Sequence, residues 1–226
     1  MHEFKNTILL QGPISKWTKH IVKEYSQKHP DAQILISTWT NENIDDIPCE
    51  VIFSEPPCIT KPFKSTVNYQ IVGTQAGLKK VKGKQIMKCR TDQFIHNKEI
   101  FHIFENFCPI EKIMIPNLGT YEQREYRTSD FCQVATKSNL LEFWEKNSLF
   151  DGKNPIDGGT YLTENYVLNI KNEKLDWKKA LRKYFFVIDF HKDFQIEWEK
   201  INYNYTYQET YSRALQKRVI TDLGNI

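Results

Sequence analysis

Apolar residues in the first half of the chain occur in short runs that are closed by turn residues. Short runs of this kind, rich in β-branched residues and bounded by glycine or proline, are typical of buried strands. We therefore predict a strand at each run: TILLQG (Thr7 to Gly12), QILISTW (Gln33 to Trp39), CEVIFSE (Cys49 to Glu55), KQIMKCRTD (Lys84 to Asp92) and EKIMIPN (Glu111 to Asn117).

The segments between some of these strands have apolar residues at helical spacing. Ser15 is a candidate N-cap, and Ile21 and Tyr25 follow at helical spacing until Pro30 ends the pattern. A second helix is predicted over residues 67–81. Short strands alternating with helices predict an α/β fold, a Rossmann-type, mostly parallel sheet flanked by helices. Ligands bind such sheets beyond the carboxyl ends of the strands.

The alternation weakens after residue 117. We predict a single domain, 1–226, in which residues 1–117 bind a nucleotide and the irregular half, 118–226, holds a second substrate. The second half has these predicted elements: a capped helix over Ser138 to Lys146, a Gly/Pro-rich loop over 150–162, helices over 162–170 and 176–185, a strand over Phe185 to Phe190, and an aromatic, then helical, stretch over 201–218.

The distribution of charge and the number of cysteines bear on which partners and which kinds of site the protein can have. The 226 residues carry a net charge of +3, from 31 basic and 28 acidic residues that are scattered along the chain. Without a basic stripe, nucleic acid is not an expected partner, although an anionic ligand or lipid headgroup suits a mildly basic surface. The 5 cysteines are odd in number and lack paired spacing, which favours reduced, mostly buried thiols.

No apolar stretch has the length of a signal peptide or a membrane span, so we expect a cytoplasmic protein. The aromatic C-terminal stretch can dock on the domain, on a partner or on a membrane. In the last case the protein would work at the inner face of the membrane.

The strand end QIMKCRTDQF places polar side chains at the predicted ligand edge. Lys88, Arg90 and Asp92 alternate along the strand and therefore share one side of it. Lys88 or Arg90 can contact a phosphate group, arginine through a bidentate fork. The alternative is a salt bridge between Arg90 and Asp92 that serves only the structure.

Several sequence blocks resemble those of WavE-type lipopolysaccharide-synthesis proteins, a family taken to be GT-A-like glycosyltransferases. The blocks are ILLQGPI, ILISTW, NYQIVGTQAGL, KCRTD and SDF...ATKSNLLEFW, and they cover roughly the first 145 residues. The resemblance implies a GT-A-like fold. It also implies transfer of a sugar from a nucleotide-sugar donor to a glycan or glycolipid acceptor during synthesis of lipopolysaccharide or capsule.

The resemblance also implies a divalent cation, Mn²⁺ or Mg²⁺, held by an acidic motif at a strand end. Asp92 is the candidate ligand, because a hard cation on carboxylate oxygens stabilises the charge of a leaving diphosphate. Arg90 stands where the first acid of such a motif belongs, which is a departure from the family pattern. His191 is a second candidate for the metal or a phosphate, with a structural histidine as the alternative.

Further donor contacts are predicted in the first half. Gly12 and Pro13 end the first strand, where glycine lets backbone amides approach a nucleotide, or they form an ordinary turn. Thr38 ends the second strand. Asn68 and Gln75 lie two helical turns apart and can contact the ribose or base, or can face solvent.

The catalytic base must remove a proton from the acceptor hydroxyl group. Asp130, in the polar RTSDF segment, is the first candidate, and the resemblance also places an acid there. Glu164 is the second, with a role at a helix N-terminus as the alternative. Arg124 and Arg127 lie close in sequence to Asp130 and can bind an acidic sugar or phosphate, or can solvate a loop.

Two other functions remain open from the sequence. A sugar nucleotidyltransferase would also use a nucleotide-binding sheet and a metal, although LLQGPISKW lacks the glycine-rich basic loop that such enzymes usually have. A nucleotide- or glycan-binding module without catalysis is the other alternative, since the first acid of the metal motif is missing.

Overall fold

The computed structural model describes residues 4–203 and 222–223. The strands are β1 Asn6–Gln11, β2 Gln33–Trp39, β3 Glu50–Ser54, β4 Gln85–Arg90, β5 Gln93–Ile95, β6 Ile113–Pro116, β7 Gln133–Thr136, β8 Phe185–Ile188 and β9 Ile196–Trp198. The helices are α1 Thr18–Lys28, α2 Val67–Leu78, α3 Ile100–Phe107, α4 Lys137–Glu145, α5 Gly158–Glu164, a π-helix Asn165–Ile170, α6 Trp177–Tyr184 and α7 Glu199–Tyr203.

Seven strands form one sheet in the order β3-β2-β1-β4-β7-β6-β8. The first four are parallel, β7 is antiparallel to both of its neighbours, and β6 and β8 are parallel. The predicted mostly parallel α/β sheet is therefore confirmed. Strands from both halves of the sequence share this sheet. β5 and β9 form a separate two-stranded antiparallel sheet.

Strand β1 lies at the centre of the core, and Ile8, Leu9 and Leu10 are fully buried. Helix α2 packs closely on this strand at Gly77, which has no side chain. A Cβ at this position would lie 2.4 Å from a methyl carbon of Leu9. Helix α2 ends at Leu78, three residues before the predicted end. Continuous apolar strands are expected where helices cover both faces of a parallel sheet.

Some local predictions were wrong. Helix α1 begins at Thr18 rather than directly after Ser15, because the Ser15 hydroxyl accepts from Trp17 N inside a preceding turn. Helix α5 begins within the predicted loop, where the Asp157 carboxylate accepts from the backbone N–H groups of Gly159 and Thr160. Strands β5, β7 and β9 and helix α3 were not predicted.

The prediction of free, mostly buried thiols is confirmed. All 5 cysteines are free thiols, and burial raises the pKa of Cys89 to about 12. No helix within residues 4–203 and 222–223 is long and apolar enough to cross a bilayer. Most of the aromatic and helical stretch predicted over 201–218 lies outside the described residues.

Candidate active site

Two neighbouring cavities open at the carboxyl ends of the parallel strands. The aromatic cavity, of about 390 Å³, is lined by residues that follow β1 and end β2. The carboxylate cavity, of about 250 Å³, is lined by residues from the β6–β7 and α4–α5 connections. Both cavities share a wall, which consists of Thr66, Gln70, Arg90 and Lys200.

The aromatic cavity has flat apolar walls. Trp39 at the end of β2 and Tyr69 on α2 are packed edge to face, with 5.2 Å between ring centroids. Gly12 and Pro13 form another wall. Gly12 has a φ of +136°, and a Cβ there would lie 3.1 Å from Thr91 Oγ1, so glycine suits both the backbone and the space. Such a slot fits a planar, partly apolar group.

The carboxylate cavity combines acids, cations and aromatic rings. Asp130 and Asp157 provide the carboxylates, and Arg127 forms an ion pair with Asp157. Aromatic rings complete the walls: Tyr121, Phe131 and Trp198. A polar floor with aromatic walls suits a sugar, whose hydroxyl groups need hydrogen bonds and whose C–H faces pack on rings.

Three groups hold Asp130 in place. Gln70 Nε2 donates to Asp130 Oδ2 at 2.8 Å, and Lys88 Nζ donates to the Asp130 main-chain oxygen at 2.7 Å. Gly158 packs close to the carboxylate on its third side, since even a Cβ at this position would lie 3.3 Å from Asp130 Oδ2. The carboxylate therefore has a fixed position in the cavity wall.

Arg90 and Asp92 form the salt bridge that the sequence left as an alternative. Arg90 Nε lies 2.8 Å from Asp92 Oδ1, and Arg90 Nη2 lies 2.9 Å from Oδ2. The guanidinium carbon also lies 5.1 Å from the centre of the Trp198 ring. Burial acts to raise the pKa of Asp92, but Arg90, with smaller effects from Trp198 and Lys200, outweighs it and lowers that pKa.

The acids of this region do not fit a divalent cation site. Both Asp92 oxygens accept from Arg90, and Asp92 lines neither cavity. His191 is exposed and also lines neither. Across the described part of the chain, no three His, Cys, Asp or Glu side chains are grouped to hold a metal ion. The predicted cation stays a prediction, and we derive no chemical step from it.

Comparison with known proteins identifies the family. A model of the WavE lipopolysaccharide synthesis family matches residues 7–217 of the 226. The chain belongs to this family. The match extends the resemblance of the first 145 or so residues across nearly the whole WavE chain. No curated protein matches the sequence.

Solved structures similar to this WavE chain include three that differ from it widely in sequence. They are 4-diphosphocytidyl-2C-methyl-D-erythritol synthase from Anaerococcus prevotii DSM 20548 (12% identity, TM-score 0.49, 96% of this chain and 100% of that chain), a glycosyltransferase involved in glycosylation of the major capsid of PBCV-1 (11%, 0.41, 82% and 83%) and HddC from Yersinia pseudotuberculosis (9%, 0.46, 94% and 98%).

Four predicted donor-binding side chains of the WavE chain lie away from both cavities. Lys88 is fully buried, and burial lowers its pKa to about 8, so direct contact with a donor does not fit its position. Asn68 exchanges hydrogen bonds with the Phe150 backbone at 3.0 and 2.7 Å. Gln75 donates to the Trp144 carbonyl at 2.9 Å, at the end of α4. Thr38 is fully buried in β2.

The two predicted bases of the WavE chain are placed differently. Asp130 lines the carboxylate cavity, whereas Glu164 lines neither cavity. Glu164 is the last residue of α5 and directly precedes the π-helix, but its side chain forms no capping hydrogen bond, so the capping alternative is not confirmed. The N-cap of α5 is Asp157, and its position before Gly158 and Gly159 was a usable sequence signal.

Trp198 and Lys200 were not predicted from the sequence; they lie more than 100 residues after Arg90. They reach the WavE site because β9 pairs with β5, with Trp198 opposite Gln93. No local pattern indicates this pairing. Burial and the nearby charge of Arg90 lower the pKa of Lys200, while Asp92 and Asp130 oppose that effect.

Proposed function

We propose that this WavE-family chain is a cytoplasmic glycosyltransferase. It would move a sugar from a nucleotide-sugar donor to a glycan or glycolipid acceptor in surface polysaccharide synthesis. The observation that supports this proposal is the shared wall between the two cavities. One cavity suits a nucleobase, the other suits sugars, and the cations Arg90 and Lys200 stand between them.

The donor would extend across this wall. Its base would lie in the aromatic cavity beside Trp39 and Tyr69. Base stacking on aromatic rings is favourable for every base, so the slot by itself selects no particular nucleotide. The diphosphate would then face Arg90 and Lys200, whose positive charge matches the charge that develops on a departing nucleoside diphosphate.

The acceptor would occupy the carboxylate cavity. Asp130 would accept the proton of the attacking hydroxyl group, which then bonds to the anomeric carbon as the bond to the nucleoside diphosphate breaks. Fixed geometry favours this role, because a base acts efficiently only within hydrogen-bond reach of its proton. Gln70 and Lys88 supply that fixed geometry.

The proposed donor and acceptor cavities draw mainly on different halves of the chain. Apart from Lys200, the aromatic cavity is lined by residues 11–90. Most of the carboxylate cavity is lined by residues 118–200, with Thr66, Gln70 and Arg90 from the first half. The first half would thus bind the donor and the second half the acceptor.

The test is a panel of nucleotide sugars with the full chain. We expect at least one donor to release its nucleoside diphosphate slowly in water, and faster when a glycan acceptor is present. Release of pyrophosphate from a sugar 1-phosphate and a nucleoside triphosphate would instead show a nucleotidyltransferase. Binding of a nucleotide without turnover across donors and acceptors would show a binding module. Either result would overturn the proposal.

The matched variants for this test are Asp130→Asn and Asp31→Asn. Asp130 lies in the cavity wall, whereas Asp31 lies on an exposed turn before β2. Removing a general base typically costs about 10²- to 10⁴-fold in rate. We therefore expect such a loss of turnover for Asp130→Asn, with nucleotide affinity nearly unchanged, and no loss for Asp31→Asn. Equal turnover of the two variants would exclude Asp130 as the base.

A further inference from the structure

An exposed apolar patch lies beside the cleft. Ile59, Phe63 and Leu149 expose 55%, 41% and 54% of their surface. The first two belong to the β3–α2 connection and the third follows α4. We call these three residues the apolar patch. Exposed apolar residues are ordinary when they are scattered, but three on two loops that contact each other need an explanation.

The two loops are held against each other. Phe63 N donates to the Gly152 carbonyl at 3.1 Å. Gly152 has a φ of +76°, and a Cβ there would lie 2.7 Å from Thr60 Cβ, so the loops meet without space for a side chain. The reciprocal bonds between Asn68 and the Phe150 backbone attach the second loop to α2. The apolar patch is therefore a preformed surface.

The two loops of the apolar patch also carry exposed lysines. Lys61 and Lys64 flank Phe63, and Lys153 follows Leu149 by four residues; all three lysines are exposed. Asp151 is the neighbouring acid, and its Oδ2 lies 3.0 Å from Lys153 Nζ. Glu55, also exposed, begins the β3–α2 connection, so the two loops carry three lysines and two acids.

The apolar patch also lies close to the site. Phe63 is three residues before Thr66, which lines both cavities. The β3–α2 connection leaves the sheet at the carboxyl end of β3, the edge at which both cavities open. A surface that covered the patch would therefore lie beside the mouth of the cleft.

We propose that the apolar patch and its three lysines dock the protein on an anionic lipid bilayer. The apolar side chains would enter the headgroup region while the lysines face anionic headgroups, the combination that peripheral membrane surfaces use. A protein partner of equal fit would be expected to present acids opposite the lysines. An anionic bilayer presents negative headgroups over its whole surface, so the lysines need not be arranged to match particular acids. The irregular spacing of the three lysines therefore favours a bilayer over a protein partner.

Docking would present the cleft to a glycolipid acceptor in the same bilayer. This last step rests on the proposed function, whereas bilayer binding itself does not. If docking occurs, a lipid-embedded acceptor would be used more efficiently than the same glycan in solution. The gain would come from effective concentration rather than from new contacts in the cleft.

The test is sedimentation of the full chain with vesicles. One set consists of phosphatidylcholine alone, and the other contains about one-third phosphatidylglycerol. We expect binding to the anionic set and little to the neutral set. Each lysine near an anionic surface contributes roughly fivefold in affinity, so Lys61→Gln/Lys64→Gln should bind about 25-fold more weakly. Ile59→Ser/Phe63→Ser/Leu149→Ser should also lose most of its binding.

A matched control uses exposed apolar residues elsewhere. Phe107 and Ile110 expose 50% and 72% of their surface and precede β6, at the opposite edge of the sheet from the cleft. Phe107→Ser/Ile110→Ser should bind vesicles as the native chain does. Because every substituted side chain is exposed, the thermal unfolding temperature of each variant should stay close to the native value, and the lysine variant provides an independent test.

Several results would overturn the docking proposal. They are equal sedimentation with neutral and anionic vesicles, equal binding by the native chain and the lysine variant, or loss of binding in the control variant alone. Donor hydrolysis without vesicles tests the proposed function separately. If vesicle binding follows the pattern above but no donor is hydrolysed, the docking surface stands and the glycosyltransferase proposal fails.

Discussion

The buried ammonium of Lys88 donates a hydrogen bond to the main-chain oxygen of Asp130, with 2.7 Å between Nζ and O. The same ammonium lies 4.7 Å from the centre of the Trp144 ring. A fully buried lysine is costly unless its donors are used, and burial lowers the pKa of Lys88 from its ordinary value of 10.5 to about 8. The unfavourable burial of this ammonium therefore occurs in direct contact with the main chain of Asp130, the candidate base.

We expect Lys88→Met to remove a pH dependence of stability. Because the amine is harder to protonate in the folded chain, the unfolded chain binds more protons between pH 8 and 10.5. The free energy of unfolding of the native chain should therefore rise with pH over that window, relative to the variant, by about 3 kcal/mol. Urea unfolding at a series of pH values measures this difference.

The comparison of the two chains cancels other buried groups. Burial raises the pKa of the Cys89 thiol to about 12 and that of Cys132 well above its usual range, which lowers stability at high pH in both chains. Lys88 lowers the pKa of both thiols, so its removal should raise them further, but folded-state thiols with such raised pKa values stay protonated up to pH 10.5 in either chain. The difference between the chains over this window should therefore come mainly from Lys88. A constant difference between the native chain and the variant from pH 8 to 10.5 would show that Lys88 titrates as an exposed lysine does.

Two glutamines on α2 give a matched pair of variants. Gln70 Nε2 donates to the Asp130 carboxylate, and Gln75 Nε2 donates to the Trp144 carbonyl. We expect Gln70→Leu to lower kcat about tenfold or more, because the base loses its fixed position, and to change the donor KM as well, because Gln70 also lines the aromatic cavity. Steady-state kinetics with the donor and acceptor found in the panel measures both constants.

Gln75→Leu is the control for Gln70→Leu. It should lower the free energy of unfolding by about 1 kcal/mol, because the carbonyl at the end of α4 loses a partner, and leave kcat unchanged. Equal kcat values for the two variants, each compared at a temperature at which it is folded, would show that Gln70 has only a structural role.

The sequence predicted six of the seven strands of the central sheet, mainly because burial on both faces of strands such as β1, β2 and β4 produces continuous apolar runs. Helix α3 carried a usable signal, since Ile100, Phe101 and Phe104 recur at helical spacing and are buried. Strand β7 carried little sequence signal, because its four residues, QVAT, include polar residues at both ends. Short strands of mixed polarity resemble loops until their partners are known.

The site was less predictable than the sheet. Arg90 and the Gly12 turn were found because they stand at the ends of buried strands, and strand ends of a parallel sheet meet at one edge. Asp130 was found from the polar RTSDF segment and from the family resemblance. Asp92 was placed at the same edge, but only side-chain geometry could show that Arg90 occupies both of its oxygens. Lys200 depends on a strand pairing between distant segments, which no local pattern specifies.

The Arg90 and Asp92 pair should contribute stability that disappears in acid. The pKa of Asp92 is lowered in the folded chain, so its contribution is present above the ordinary Asp value of 3.8 and is lost as pH falls through the folded value. Asp92→Asn should cost about 1–2 kcal/mol at pH 7, and the cost should shrink toward pH 3. Urea unfolding at the two pH values measures it.

Donor binding gives a second measurement on the same variant. Without its partner, Arg90 loses the bidentate contact that orients it, so Asp92→Asn should weaken the affinity for a nucleoside diphosphate several-fold. Asp151→Asn, at an exposed acid away from both cavities, is the control and should bind normally. Unchanged stability at pH 7 together with unchanged affinity would mean that the pair neither stabilises the fold nor positions Arg90.

Removal of divalent cations tests how the diphosphate charge is balanced. If Arg90 and Lys200 face the diphosphate, its affinity should change less than about twofold on addition of EDTA, and Arg90→Gln should weaken it about tenfold or more. Calorimetric titration with nucleoside diphosphates, with EDTA and with Mn²⁺, measures both effects. If EDTA abolishes binding and Mn²⁺ restores it, a cation holds the diphosphate. Asp92 would then have to leave Arg90 on ligand binding, because both of its oxygens accept from that guanidinium.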